Sequence, residues 1–97
     1  MAAKLMHDRA RELGISCSIG GMLESGVGRA AAIVVGALTG FDLPGDLGAS
    51  DRYFVPDLTA PHVLVDGELL VPVGAGLGVR VDEETVARST VRAELFE

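Results

Sequence analysis

Residues 15–30 read ISCSIGGMLESGVGRA, and this stretch decides how the chain folds. Apolar residues and serines alternate from residue 15 to 19, which is the period-two pattern of a half-buried β-strand. A glycine-rich loop follows, and from Val27 to Leu38 apolar residues recur every three or four positions, as in a helix. Ser25 precedes this helix and has the side chain of an N-cap. The stretch therefore predicts a strand, a loop and a helix in direct succession.

The flanking sequence continues this alternation. Before the stretch, one apolar stripe at helical spacing predicts a helix that ends at Gly14. After it, residues 41–43 predict a very short strand that runs into a Pro-Gly turn. The order helix, strand, helix, strand is that of a parallel α/β sheet. The apolar stripe of the first helix consists of Ala2, Leu5, Met6, Ala10 and Leu13.

The second half of the chain has a different pattern. Residues 46–61 have no hydrophobic period and predict a long ordered loop, with Tyr53 among its few bulky anchors. Asp66-Gly67 between two short apolar runs is a strong signal for a two-residue β-hairpin over residues 63–71. Residues 82–88 predict a short helix with an acidic first turn. The remaining tail has weak strand character.

Composition limits the kind of protein. A chain of 97 residues forms one small core, and its net charge of -6 argues against a nucleic-acid partner. A hydrophobic fraction of 48% is high for this length, so some apolar surface should face a partner or a missing part of a larger protein. The longest apolar run, residues 30–38, is far shorter than the roughly 20 residues of a membrane span. A single cysteine, Cys17, indicates a buried thiol and a cytoplasmic setting.

Residues 26–31 read GVGRAA and match the loose dinucleotide-binding pattern, with Asp46 near the position of a ribose-binding acid. In that pattern the glycines lie at the turn that directly leaves the strand. Here residues 20–25 intervene, and Asp46 follows a Pro-Gly turn where a long second strand would be expected. A small dinucleotide-binding domain is therefore a less favoured alternative.

Other candidate chemistry is sparse. The two histidines lack partners at metal-ligand spacing, so we expect His7 on the exposed face of the first helix and His62 in a loop. Asp42, Asp46 and Asp51 suit turns and helix caps better than a metal site. The sequence therefore predicts no catalytic residue and no metal ligand on this chain.

The loop Gly20-Gly21-Met22-Leu23-Glu24 has the composition of a pocket rim. Its two glycines allow close backbone approach, the next two side chains are adaptable and apolar, and a carboxylate follows. Loops of this kind bind ligands at the C-terminal ends of strands in α/β barrels. The alternative is a tight loop whose glycines only permit packing.

Several motifs taken together resemble one family, the o-succinylbenzoate synthases and N-acylamino acid racemases of the enolase superfamily, mandelate racemase/muconate lactonizing enzyme type. The resemblance implies the last two β/α units of a (β/α)8-type barrel over residues 1–50. Residues 51–97 would form the long loop, the β-hairpin and a tail that packs on a missing capping domain. The motifs are residues 20–30, 41–46 and 49–53, Pro72, and residues 76–79.

The family resemblance also implies a function. Such lyases and isomerases, the synthases serving menaquinone biosynthesis, abstract a proton α to a carboxylate, using Mg²⁺ held by three acidic residues and two lysines as acid and base. This chain has one lysine, Lys4, on the helix after the strand expected to carry the second catalytic lysine. The acid, the base and the metal ligands would come from a missing N-terminal barrel and capping portion or from a second chain. Alone the chain is expected to be inactive, and self-association is left open.

By the same resemblance the chain supplies only substrate-binding residues for a small carboxylate. Gly21, Met22 and Leu23 would line the acyl or succinyl pocket, Tyr53 would close against it, and Glu24 would orient it. We call Gly20 to Glu24 together with Tyr53 the rim. Two departures, Ser18-Ile19 in place of a tryptophan-cysteine pair and Gly48 in place of a serine, leave open whether synthase or racemase activity dominates.

Overall fold

The structure, a computed structural model, describes residues 2–96 and has a small mixed α/β fold. The predicted helices and the predicted hairpin are all present, which confirms those assignments. In chain order the elements are α1 (Ala2–Glu12), α2 (Gly26–Gly36), a 3-10 turn (Ser50–Arg52), β1 (Leu64–Val65), β2 (Glu68–Leu69) and α3 (Glu83–Ser89).

The two segments predicted as parallel strands lie side by side, but neither forms a regular strand. Gly20 and Asp46 form a parallel bridge, and further backbone hydrogen bonds join residues 17–21 to residues 40–46. From the Leu43–Cys17 bond to the Asp46–Ile19 bond the chain advances two residues on the first segment and three on the second, so one extra residue bulges at the Pro-Gly turn. The bonds are Cys17 N to Gly40 O, Leu43 N to Cys17 O, Asp46 N to Ile19 O and Gly21 N to Asp46 O, at 2.8–3.2 Å. Cys17 is only half-buried and not fully buried as predicted.

Helix α1 packs through a different face from the predicted one. His7, expected on the exposed face, is only 5% exposed and stacks on Phe41 with the ring centroids 5.6 Å apart. Its Nε2 lies 2.8 Å from the carbonyl oxygen of Thr39, and its Nδ1 lies 2.9 Å from Asp8 Oδ1. The expectation was wrong because the ring finds an aromatic neighbour and a polar partner for each nitrogen.

The predicted apolar stripe of α1 is exposed. Leu5, Met6 and Leu13 are 69%, 70% and 56% exposed, respectively. Within residues 2–96, the buried apolar side chains are small in number and size, namely Ala30, Ile33 and Ala49. The expected surplus of apolar surface is therefore present. No helix in this range has both the length and the apolar character that crossing a membrane requires.

The long loop is ordered and caps α2. Ser25 has the extended backbone of an N-cap residue, but its side chain makes no capping hydrogen bond, contrary to prediction. Instead, buried Asp57 accepts hydrogen bonds on Oδ1 from the backbone N–H groups of Gly26, at 2.9 Å, and Leu58, at 2.6 Å. A second link joins the loop to α2, because His62 Nε2 lies 3.0 Å from the carbonyl oxygen of Gly26. His62 is thus a half-buried loop residue.

The hairpin has the predicted turn. β1 and β2 are antiparallel, with Leu64 opposite Leu69 and Val65 opposite Glu68. Asp66 and Gly67 both have positive φ, 52° and 82°, as a type I′ turn requires. The paired strands are shorter than the predicted span because only two residues on each side form the ladder.

Candidate functional site

A cavity of about 180 Å³ lies where the parallel segments end. Four of the six rim residues line it, and Gly20 and Glu24 do not. The lining consists of Gly21, Met22, Leu23, Arg29, Asp46, Gly48, Arg52 and Tyr53. The apolar rim side chains are open to solvent, with Met22 74% and Leu23 64% exposed. The structure thus brings the glycine loop and the residue from the long loop to one opening.

Glu24 holds the glycine loop from behind. Its Oε1 accepts a hydrogen bond of 2.7 Å from the backbone N–H of Met22, and its Oε2 lies 2.9 Å from Arg29 Nη2. The hydrogen bond from the Met22 N–H lowers the pKa of Glu24 below its usual 4.5, despite partial burial. The backbone N–H of Glu24 and the positive charge of Arg29 lower this pKa further. The charged Glu24 side chain therefore fixes the backbone of the glycine loop.

Arg29 is the residue that sequence reasoning missed. It lies on α2, is 1% exposed, and donates from Nη2 to the carbonyl oxygen of Met22 at 2.9 Å. Its guanidinium carbon lies 6.0 Å from the centroid of the Tyr53 ring, within cation–π range. A buried charge requires a partner, and Glu24 supplies it. The available signal was one arginine in an otherwise apolar and glycine-rich helix.

Gly21 is required by this packing. A Cβ atom at this position would lie 2.5 Å from Arg29 Nη1 and 2.8 Å from Leu47 Cδ2, so a side chain would displace the guanidinium. Gly20 differs, because a Cβ there would meet nothing within 4 Å. Gly21 therefore permits the close packing of Arg29 and Leu47, whereas Gly20 leaves open space at the end of its segment.

The geometry does not favour a dinucleotide at α2. A Cβ on Gly26 would lie 1.9 Å from Thr59 Oγ1, and one on Gly28 would lie 2.9 Å from Glu24 Cβ, so close packing accounts for both glycines. The helix N-terminus, where a pyrophosphate would bind, already has the carboxylate of Asp57 on its Gly26 N–H.

Metal ligands do not converge in the part of the chain that the structure describes. Among residues 2–96 no three His, Cys, Asp or Glu side chains are arranged to hold a metal ion. Asp42, Asp46 and Asp51 are all exposed; Asp46 forms the parallel bridge and Asp51 lies in the 3-10 turn. These carboxylates do not fit a Mg²⁺ site, so no chemical step is assigned to a metal held by this chain.

This chain is similar to known proteins. No family model matches it. The N-succinylamino acid racemase of Amycolatopsis sp. is 45% identical over 93 residues, covering 91% of this chain and 25% of that protein. The o-succinylbenzoate synthase of Geobacillus kaustophilus is 45% identical over 95 residues, covering 97% of this chain and 25% of that protein. The chain therefore spans about a quarter of the length of these relatives.

Solved structures agree. A probable mandelate racemase from Alicyclobacillus acidocaldarius superposes with a TM-score of 0.83 and 36% identity, covering 94% of this chain and 24% of that one. An enolase-superfamily member from Listeria innocua gives a TM-score of 0.80 and 37% identity, covering 91% and 24%. In sequence and fold, this chain is related to the enolase superfamily. Within it, its relatives are o-succinylbenzoate synthases and N-succinylamino acid racemases, which confirms the resemblance in the motifs.

Proposed function

We propose that this chain forms the substrate rim of a lyase or racemase of the o-succinylbenzoate synthase and N-acylamino acid racemase kind. The observation that carries the proposal is the single opening shared by Met22, Leu23 and Tyr53 at the end of the parallel segments. Barrel enzymes bind substrates at this end of their strands. The reaction of such an enzyme removes a proton α to a carboxylate.

The rim residues would divide the work of binding. Met22 and Leu23 offer adaptable apolar contact to an acyl side chain, and the aromatic ring of Tyr53 closes the opposite side. Gly20 leaves the backbone open to a ligand, and Gly21 lets Arg29 lie close behind the loop. Glu24 holds the loop through the Met22 N–H. The chain thus binds and orients the substrate side chain.

The proton-transfer groups would come from elsewhere. Lys4 is the only lysine, and both oxygens of Asp8 lie 2.6 Å from its Nζ on the exposed side of α1. When bound by residues outside this chain, Mg²⁺ would stabilise the enediolate. We therefore infer that the 97-residue chain alone does not catalyse the reaction.

The same proposal gives the chain a place in a larger fold. Residues 1–50 would be the last two β/α units of a barrel, and residues 51–97 the loop, hairpin and tail that reach the capping region. The exposed apolar stripe of α1 supports this arrangement, because such a face needs a covering surface.

Reconstitution tests the proposal. The chain is mixed with the Amycolatopsis N-succinylamino acid racemase from which the matching quarter has been removed, in the presence of Mg²⁺. Racemisation of an N-succinylamino acid is then followed by chiral chromatography. We expect activity in the mixture and none in either part, and Tyr53→Ala should weaken substrate binding in the mixture. Metal-dependent turnover by the chain alone, or a well-formed but inactive mixture, would contradict the proposal.

A second candidate is an interaction module that completes a separately encoded barrel in the cell. It is supported by the open edge of residues 15–20, where the backbone groups of Ser16 and Ser18 have no backbone partner among the described residues. Co-expression with an N-terminal barrel part should yield a stoichiometric complex in size-exclusion chromatography. Two chains that elute independently would rule this candidate out.

The least favoured candidate is a dinucleotide-binding domain. Because Asp57 occupies the N-terminus of α2, we expect no binding of NAD or NADP at millimolar concentration in a calorimetric titration. Binding that is lost when Gly28 is replaced by a bulky residue would restore this candidate.

A further inference from the structure

We propose that Arg29 is a positioning residue that couples the two halves of the rim, so that the glycine loop and Tyr53 keep one fixed spacing. The inference rests on the proposed function for its effect on substrate. Its structural part, the coupling itself, can be tested on the chain alone.

The coupling follows from three contacts made by one guanidinium. Nη2 donates to the carbonyl oxygen of Met22 at 2.9 Å and lies 2.9 Å from Glu24 Oε2. The carbon atom of the same group lies over the Tyr53 ring, 6.0 Å from the ring centroid. Met22 and Tyr53 belong to segments far apart in sequence, and the Arg29 side chain contacts both of them.

Arg29 is itself held firmly. Its side chain is 1% exposed, and its backbone N–H donates to the carbonyl oxygen of Ser25 at 2.8 Å in the first turn of α2. The start of that helix is fixed by Asp57 through the Gly26 N–H. Helix α2 therefore fixes the position of the guanidinium. The group cannot readily move with the exposed rim.

The contacts require arginine and not simply a positive charge. A guanidinium is planar, so its edge can bond to the loop while its face packs on an aromatic ring. A lysine ammonium group is a compact charge and cannot do both at once. Arg29→Lys should therefore preserve the ion pair with Glu24 while losing the alignment of Tyr53.

The effect on a substrate follows from where Arg29 acts. The three guanidinium contacts described above are all with rim residues. Under the proposed function, the groups that move protons lie outside this chain. If the spacing is lost, the substrate and the transition state should both bind more weakly and to the same extent. KM should then rise, and kcat should remain nearly unchanged.

The first test uses the chain alone. Tyr53 is the only tyrosine, and the chain has no tryptophan, so tyrosine fluorescence and its near-ultraviolet circular dichroism report on this residue. We expect Arg29→Lys to change the tyrosine signal and to shift the Met22 amide resonance. The matched control is Arg9→Lys, which replaces a 67% exposed arginine and should change neither.

A second variant tests the same coupling in case Arg29→Lys does not fold. Glu24→Gln keeps an oxygen for the Met22 N–H but removes the charge that pairs with Arg29, so it too should move the tyrosine signal. Far-ultraviolet circular dichroism establishes that each variant is folded. Folded Arg29→Lys and Glu24→Gln chains with an unchanged tyrosine signal would overturn the proposal.

The last test uses the reconstituted assembly described above. Arg29→Lys should raise KM for an N-succinylamino acid by about tenfold, with kcat within about twofold. A fall in kcat at constant KM would overturn the positioning role. If the assembly is inactive with the unaltered chain, the proposed function fails, and the tyrosine measurement still decides whether Arg29 couples the rim.

Discussion

The carboxylate of Asp57 accepts a hydrogen bond of 2.9 Å from the backbone N–H of Gly26, although 31 positions separate the two residues. The first N–H groups of a helix have no partner within it, and a carboxylate there also complements the helix dipole. Helix α2 therefore takes its cap from the long loop, while Ser25, adjacent in sequence, does not cap it with its side chain. The long loop and helix α2 therefore stabilise each other.

Removing this cap should destabilise the chain. We expect Asp57→Ala to lower the free energy of unfolding by about 1–2 kcal/mol, the usual cost of losing an N-cap side chain. Urea denaturation measures the change, and hydrogen exchange at the Gly26 amide should quicken. Exposed Asp51 provides the control, because Asp51→Ala removes a carboxylate from the same loop. Equal effects of the two substitutions would contradict the capping role.

Adding one methyl group at Gly26 should also destabilise the chain, against the intrinsic preference of helices. Alanine favours a helix interior by about 1 kcal/mol over glycine, but a Cβ here would lie 1.9 Å from Thr59 Oγ1. We expect Gly26→Ala to cost about 1–3 kcal/mol by overpacking. Gly20→Ala should be nearly neutral, since no atom lies within 4 Å of that Cβ. Adding Thr59→Ala to Gly26→Ala should recover part of the loss, and a stabilising Gly26→Ala would disprove the close approach.

The stability of the chain should fall in acid partly through Glu24. Its pKa is lowered below the usual 4.5, mainly by the Met22 N–H, so the folded chain binds this proton less readily than the unfolded chain. Its contribution is therefore present above pH 4.5 and is lost as the pH falls through the lowered value. Unfolding should be measured between about pH 7 and 3 for the unaltered chain and for Glu24→Gln.

Glu24→Gln should be less sensitive to acid over this range, although both proteins share the losses from Asp8 and Asp82, whose pKa values are also lowered by hydrogen bonds. Glu83→Gln, at an exposed position in α3, is the control for the loss of one carboxylate. If the stability curves of Glu24→Gln and the unaltered chain run parallel against pH, Glu24 does not stabilise the glycine loop through its charge.

The face through which α1 packs can be tested within that helix. His7→Ala removes the stack on Phe41 and two polar contacts, so we expect a loss of about 1–3 kcal/mol. Met6→Ala, at a residue 70% exposed, should change the stability of the isolated chain by less than about 0.5 kcal/mol. A larger effect at Met6 than at His7 would mean that the apolar stripe is the buried face.

Features set by neighbouring residues were predictable from the sequence. The turn at Asp66-Gly67 needs two positive φ angles, and these residue types adopt them readily. The three helices likewise followed from local periodicity, whereas the segments predicted as parallel strands form only an isolated bridge and irregular hydrogen bonds. The grouping of Met22 and Tyr53 at one opening was expected from the family resemblance, and their role in binding stays a prediction.

Features set by distant partners were not predictable in the same way. His7 is buried because Phe41 and the carbonyl group of Thr39 meet it, and periodicity within α1 carries no trace of either. Arg29 is buried because Glu24 and Tyr53 converge on it from two segments. A side chain whose polarity suggests the surface can thus be internal when the fold supplies its partners.

The Gly26 and Asp57 contact also bears on synthesis of the chain by the ribosome. Translation proceeds from the N-terminus, so α2 is made well before the residue that caps it. Until Asp57 leaves the exit tunnel, the nascent helix lacks its carboxylate cap and should fray at its N-terminus. Ribosome-bound chains halted before and after Asp57 emerges should therefore differ in their protease sensitivity at α2.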